Sequence, residues 1–214
     1  MHKGRPKGRE TEAKFLVRDP KLFRALGRLT RIGRFRLQHS QTERQINLYL
    51  DTPDLHLKRA HAALKIRRIG RRAELTFKRE ISYRRGVSER RELTVPLRAA
   101  HVPAAEAGRL NAEPVRIARR ITGGKPWRRV LVLETRRRKR SFVCPAGRIE
   151  LALDEVRVRR KGGATRYREV ELENLGAPGP LFREALFQIR RRFGQGLRPS
   201  RRSKYQIGLR LAQA

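Results

Sequence analysis

Along much of this chain apolar residues recur at every second position, and the positions between them are charged. In Glu10-Thr11-Glu12-Ala13-Lys14-Phe15-Leu16-Val17 an extended backbone puts Glu10, Glu12 and Lys14 on one face. The pattern predicts a strand over 10–18, stopped by Asp19-Pro20. A short helix opens at Pro20, with Leu22, Phe23, Leu26 and Leu29 at helical spacing. Residues 45–50 alternate as a strand and end at the turn signal Asp51-Thr52-Pro53-Asp54. Two strands, 62–69 and 73–80, form a hairpin over Gly70-Arg71-Arg72, and a further strand covers 89–97. The stretch 99–122, rich in Ala with Pro103 and Pro114, reads as short helices and loop. Strands are predicted over 129–137, 140–144, 148–158 and 165–173, with Pro145-Ala146-Gly147 and Lys161-Gly162-Gly163 as turns. An amphipathic helix covers 181–193, and 199–211 has no clear period. The first nine residues read as a mobile basic tail. Many strands joined by tight turns, with helices set apart, give an α+β protein, mainly antiparallel β, built as a barrel or curled sheet with accessory helices.

The chain has 214 residues, enough for one ordinary domain, and 38% of them are apolar. No apolar run approaches the length of a transmembrane helix. The N-terminus lacks the apolar core of a secretory signal, and the single Cys144 can form no intramolecular disulfide or thiolate metal site. A cytoplasmic setting is expected. The formal net charge is +35, from 55 basic and 20 acidic residues. Such a field attracts any polyanion, whether phosphate chain, nucleotide or nucleic acid. Arg outnumbers Lys by 44 to 11, so part of the excess is what arginine-rich codon usage alone would put on a surface.

The sorting of charge carries more information than its total. Lys65 and Arg67 share a strand face, as do Glu74, Thr76 and Lys78, and as do Arg90, Glu92 and Thr94. Glu150 and Asp154 share another face, and Glu169, Glu171 and Glu173 stack on one side of Val170 and Leu172. Charge facing water is the ordinary reason for such alternation. Three like charges on one face, however, are costly unless a cation offsets their repulsion. Oxygen ligands of this kind suit Mg²⁺ or Mn²⁺. Lys14, Lys65, Arg67, Lys78 and Arg90 are donors suited to phosphate oxygens. Phosphoryl transfer asks a protein mainly for positioning and charge neutralisation, which such a set supplies. No P-loop motif and no Ser/His/Asp or Cys/His set is present.

These residues resemble the CYTH, or triphosphate tunnel metalloenzyme, superfamily. The signature ExExK matches Glu10-Thr11-Glu12-Ala13-Lys14. Further blocks follow in order: Tyr49–Asp54, Leu64–Arg67, Leu75–Lys78, Arg90–Glu92, Ile149–Asp154, Glu169–Glu173 and Ser203–Tyr205. The nearest resemblance is to the bacterial inorganic triphosphatases. It implies one domain over 10–211, folded as an eight-stranded closed β-barrel whose tunnel binds triphosphate with Mg²⁺ or Mn²⁺. By position, Glu10, Glu12, Asp154, Glu169, Glu171 and Glu173 supply the metal ligands. Lys14, Lys65, Arg67, Lys78, Arg90, Arg136, Arg138 and Lys204 hold phosphate. Glu92 orients its basic neighbours or water and, with Arg136, completes the catalytic set. In one departure, the best register puts Glu134 where some members carry a lysine linked to the attacking water.

The implied activity is metal-dependent hydrolysis of inorganic triphosphate or a related triphosphate. Ligands within that class are inorganic triphosphate, polyphosphate and nucleoside triphosphate. Adenylate cyclases and thiamine triphosphatases of the same family, and a non-catalytic polyphosphate- or nucleic-acid-binding module, are the alternatives.

Overall fold

A computed structural model describes residues 8–160 and 162–213. Its strands are β1 (Arg9–Val17), β2 (Arg31–Ile32), β3 (Phe35–Asp51), β4 (Ala62–Ile69), β5 (Arg72–Arg84), β6 (Val87–Leu97), β7 (Arg128–Cys144), β8 (Gly147–Arg160), β9 (Gly163–Asn174) and β10 (Leu197–Pro199). Its α-helices are α1 (Pro20–Leu26), α2 (His56–Arg59), α3 (Val102–Glu106), α4 (Glu113–Thr122), α5 (Gly179–Phe193) and α6 (Lys204–Gln213). Most of the expected basic tail lies outside the described residues, and Arg9 already belongs to β1.

The strands pair in the order β1-β6-β5-β4-β3-β7-β8-β9, and β9 returns to β1. All pairings are antiparallel, so the eight strands close into a barrel without free edges. The short β10 continues beside the end of β1, and β2 pairs with β3.

Two strands are longer than the pattern predicts. β3 starts at Phe35 rather than near 45, and β7 runs unbroken where two strands were expected. The added segments, around 36–44 and 138–141, are polar and pair with each other, so main-chain ladder bonds and charge pairing hold them instead of apolar alternation. The C-terminal segment resolves into β10 and α6.

The barrel is inside-out relative to an ordinary β core. Ala13, Phe15 and Val17 of β1, with Leu151, Leu153, Val170 and Leu172, face outward and bury against α1 and α5. Leu64, Ile66, Leu75 and Phe77 face outward beneath α4, against Val115 and Ala118. Each of the larger of these side chains contributes about 1.5–3 kcal/mol by leaving water, so the helices on the outside anchor the strands while the charged face turns inward. Pro20 at the first turn of α1 and Asp19 as its N-cap, whose carboxylate accepts from Lys21 N–H at 2.7 Å, fix the first of these helices.

One end of the interior is apolar. There Leu131, Leu133, Val156 and Val158 meet Tyr205 and Leu209 of α6, which stops that end of the tunnel. Gly208 lets the helix approach: a Cβ on it would lie 2.6 Å from Leu131 Cδ2. Tyr205 stacks on Tyr49 with ring centroids 4.9 Å apart and donates its hydroxyl to Asp51 at 2.8 Å. Asp51 also accepts from the Leu57 and Lys58 amides, joining α6 to the start of α2.

Candidate active site

Beyond α6 the lumen is lined by buried charge. From β1, Glu10, Glu12 and Lys14 point inward and are almost wholly buried. Lys65 and Arg67 of β4, Lys78 of β5, Arg90 of β6 and Lys204 at the start of α6 line one cavity with Lys14. Alternation brings these residues in because every second residue of a closed barrel faces its interior.

The charges are cross-linked between strands. Lys78 donates to Glu10 at 2.7 Å and pairs with Glu92 at 3.1 Å. Arg90 reaches Glu12 at 2.6 Å. Lys14 lies 3.1 Å from both Glu12 and Glu171, so one ammonium joins the N-terminal glutamates to the late acidic strand. Asp154, Glu169 and Glu171 form a tight trio, each offering an oxygen within 4.8 Å of the others. Lys204 bonds all three, at 2.8 Å to Asp154 and to Glu171 and more closely to Glu169.

Burial and these partners set the protonation states. Burial pushes the Glu169 carboxyl up to about 7, with Lys204 only partly opposing it. Burial acts the same way on Glu171, but Lys204, Lys14 and Arg137 override it and hold that carboxyl well below its usual range. Glu10 is raised by burial and by Glu12, whereas Lys14 and Arg90 keep Glu12 low despite its burial. Lys65 differs from the other basic residues in the lumen. Burial, Arg67 and Lys78 together lower its ammonium well below the ordinary lysine value, and among the described residues no carboxylate pairs with it. Arg67 donates to Asn47 at 3.1 Å.

The trio fits a divalent cation by its own chemistry. All its donors are carboxylate oxygens, the ligands Mg²⁺ and Mn²⁺ prefer. Glu169 Oε2 is buried without any hydrogen-bond partner, a costly state for a carboxylate that a bound cation would relieve. Glu12 stands beside this centre through Lys14, and Glu10 is one step further away, held by Lys78. Glu173 is half-buried, across from Glu12 in the β1–β9 register.

The structure corrects one group of expected residues. Arg136 and Arg138 do not enter the lumen. Arg136 is exposed and pairs with Glu155 at 3.2 Å, while Arg138 lies on the outer face with Nε 3.3 Å from Ser40 Oγ. Arg137 is the inward residue: it grips Asp154 with two bonds of 2.8 and 2.6 Å and also bonds Glu171. A shift of one residue in a strand exchanges its two faces. The same shift moves Glu134 outside, where it bonds Arg157 and Arg159, and puts Thr135 in the lumen with a buried, unbonded hydroxyl. The run Val130-Leu131-Val132-Leu133 is apolar at every position, so nothing in it indexes which parity faces inward. Arg137 is the arginine whose register partner on β8 is Asp154, so the pairing of the two strands, and not the pattern of β7 itself, identifies the inward residue.

A family model for the CYTH domain matches residues 8–203. The chain belongs to the CYTH family. Solved structures agree on the fold. A Hippeastrum adenylyl cyclase candidate reported to reveal a dominant triphosphatase activity superposes with a TM-score of 0.63 at 19% identity, covering 93% of this chain and 94% of its own. An adenylate cyclase candidate from Bacillus halodurans gives 0.64 at 20% identity, with 94% and 98% covered. The capping enzyme triphosphatase of Mimivirus gives 0.50 at 11% identity, with 89% and 90% covered. No curated protein matches the sequence. In this CYTH barrel, no helix among the described residues is long and apolar enough to cross a membrane.

Proposed function

We propose that this CYTH protein hydrolyses the terminal phosphoanhydride bond of a triphosphate, with inorganic triphosphate as the substrate its lumen suits best. The observation that carries the reading is the facing of two charge sets in one cavity. Lys14, Lys65, Arg67, Lys78, Arg90 and Arg137 line it on several strands, and Glu171 lines it too, with Asp154 and Glu169 buried close behind. The cations neutralise phosphate oxygens and fix the chain, arginines through two parallel bonds and lysines as point charges. Asp154, Glu169 and Glu171, with Glu12 adjoining, would hold Mg²⁺ or Mn²⁺, which when bound supplies charge neutralisation at the phosphoryl oxygens and activates water. Water adds to the terminal phosphorus, the bond to the bridging oxygen breaks, and orthophosphate and the shortened chain leave.

Glu92, together with Glu10, keeps Lys78 in place. Lys204 already spans the trio, so it joins the acidic centre to the cations that would hold phosphate. The two tyrosines of the lumen, Tyr49 and Tyr205, are stacked on each other, and many of its other residues are cations, which supports an inorganic chain over a ligand held by ring stacking.

The test is a phosphate-release panel with tripolyphosphate, ATP, thiamine triphosphate and long-chain polyphosphate, each with Mg²⁺ and with Mn²⁺. Tripolyphosphate should be turned over fastest, and Glu171→Gln should cut the rate at least about a hundredfold. Either ion should also raise the melting temperature of the wild type but not of Glu169→Gln, a readout independent of turnover. Retained polyanion binding without turnover of any of the four would replace the hydrolase with a binding module.

A further inference from the structure

One stretch of the barrel's outer wall carries no helix. Where β3, β7, β8 and β9 run between the cover of α1 and α5 and that of α4, the outward residues form two cross-strand rows. One is Arg44, Arg136, Glu155 and Arg168, and the other is Ile46, Glu134, Arg157 and Arg166. They border a shallow groove of about 1360 Å³, counted to open solvent. Arg24, Arg28 and Arg138 extend the same basic surface along the neighbouring groove, which also takes in Arg136 and Arg168.

We propose that this bare wall is a docking surface for duplex nucleic acid, held through its sugar–phosphate backbone without base readout. The inference does not rest on the hydrolase reading, since none of these side chains enters the lumen.

Three observations carry it. First, Arg44 sits directly opposite Arg136, and Arg157 directly opposite Arg166. Like charges in opposed positions destabilise a sheet, so the array has a cost that a polyanion would offset. Second, the two acids of the wall are already committed, Glu155 to Arg136 and Glu134 to Arg157 and Arg159. Among the described residues, Arg44 and Arg166 have neither an ion pair nor a hydrogen bond, and both are exposed. Third, the array is two-dimensional. Its four strands span roughly 14 Å at a spacing of about 4.8 Å, and its rows lie about 7 Å apart. A single thread of phosphates needs one line of cations, whereas the paired phosphate ridges of a double helix need a broad field.

Other partners fit less well. Ile46 is the one exposed large apolar side chain on the wall, too little for a membrane or for the aromatic anchors of a protein interface. No aromatic ring is exposed there on which single-stranded bases could stack; Phe23 and Tyr167 are half-buried.

The test uses the full chain and fluorescence anisotropy with labelled DNA and RNA duplexes of about 20 base pairs and unrelated sequence, from roughly 50 to 300 mM KCl. Binding should be indifferent to sequence and fall steeply with salt. Arg44→Gln, Arg157→Gln and Arg166→Gln together should weaken it at least about tenfold and lower the logarithmic salt slope by about 2–3. A control carrying Arg71→Gln, Arg72→Gln and Arg109→Gln loses the same charge from other exposed positions and should weaken binding less than about threefold. Circular dichroism checks the fold. If the triple variant is unfolded, Arg166→Gln alone should lower the slope by about 1. Equal losses in wall and control variants, or no duplex binding by the wild type, would overturn the assignment. So would a larger loss for labelled long-chain polyphosphate than for duplex.

Discussion

Replacing Arg137 by Met separates the structure from the sequence pattern most sharply. The guanidinium makes two bonds to Asp154, which is wholly buried, and another to Glu171. Removing one partner of a buried ion pair typically costs about 3–5 kcal/mol, because the carboxylate left behind stays desolvated without its counter-charge. Here the loss is cushioned. Asp154 keeps Lys204 at 2.8 Å, and Glu171 keeps both Lys204 and Lys14. Methionine also preserves much of the apolar stem. The low end, about 3 kcal/mol, is therefore expected. With a urea m-value of about 2–3 kcal/mol/M, the unfolding midpoint should fall by roughly 1–1.5 M. Arg136→Met and Arg138→Met, on exposed side chains, should each stay within about 0.5 kcal/mol of wild type. The assay is urea unfolding at neutral pH, followed by far-UV circular dichroism and by tyrosine or tryptophan fluorescence to check for a single transition. If Arg136→Met or Arg138→Met loses as much as Arg137→Met, the inward parity assigned to β7 is wrong.

Three further substitutions probe separate parts of the site. Burial alone would raise the Glu92 carboxyl, but Lys78 and Lys65 hold it at about 2 against an ordinary 4.5. Its ionised form therefore stabilises the fold above pH 4.5, and that contribution fades as pH falls toward 2. Glu92→Gln should thus cost roughly 2 kcal/mol near neutral pH and almost nothing near pH 2, read from denaturant midpoints across that range. Burial, Arg67 and Lys78 outweigh the attraction of Glu92 for the Lys65 ammonium, so in Lys65→Met thermal stability without ligand should hold or rise while calorimetry shows tripolyphosphate binding weakened at least about tenfold. A simultaneous drop in stability would show that the attraction to Glu92 outweighs the cost of burial. Gly208→Leu drives a side chain into Leu131 and Leu133, and a net loss of about 1–2 kcal/mol is expected after the gain in helix propensity. Because α6 carries Lys204 into the acidic trio, phosphate release should fall with it, and an unchanged rate would refute that coupling.

The alternation of Glu10, Glu12 and Lys14, of Lys65 and Arg67, and of Glu169 and Glu171 was enough to sort those residues onto single faces. A strand has only two faces, so parity follows from composition wherever apolar and charged residues take turns. The helix at Pro20 and the hairpin at Gly70 were legible for a similar reason, since their signals are local. What alternation cannot say is which face is inside. In this barrel the apolar face goes outward beneath α1, α4 and α5, and the charges go in, an arrangement decided only when helices distant in sequence cover the strands. The parity of β7 was hidden because its first half is apolar on both faces, one touching α6 and the other the outer core. The C-terminal segment gave no period because α6 is buried on the barrel end rather than along a surface stripe. The chain's own pattern thus determined the alternating parts of the barrel strands and the kinds of charge they would carry. Tertiary closure alone decided that Arg137 rather than its neighbours meets Asp154, and that Lys204 and Lys14 tie three remote segments into one site, because those contacts depend on register between strands that no local signal sets.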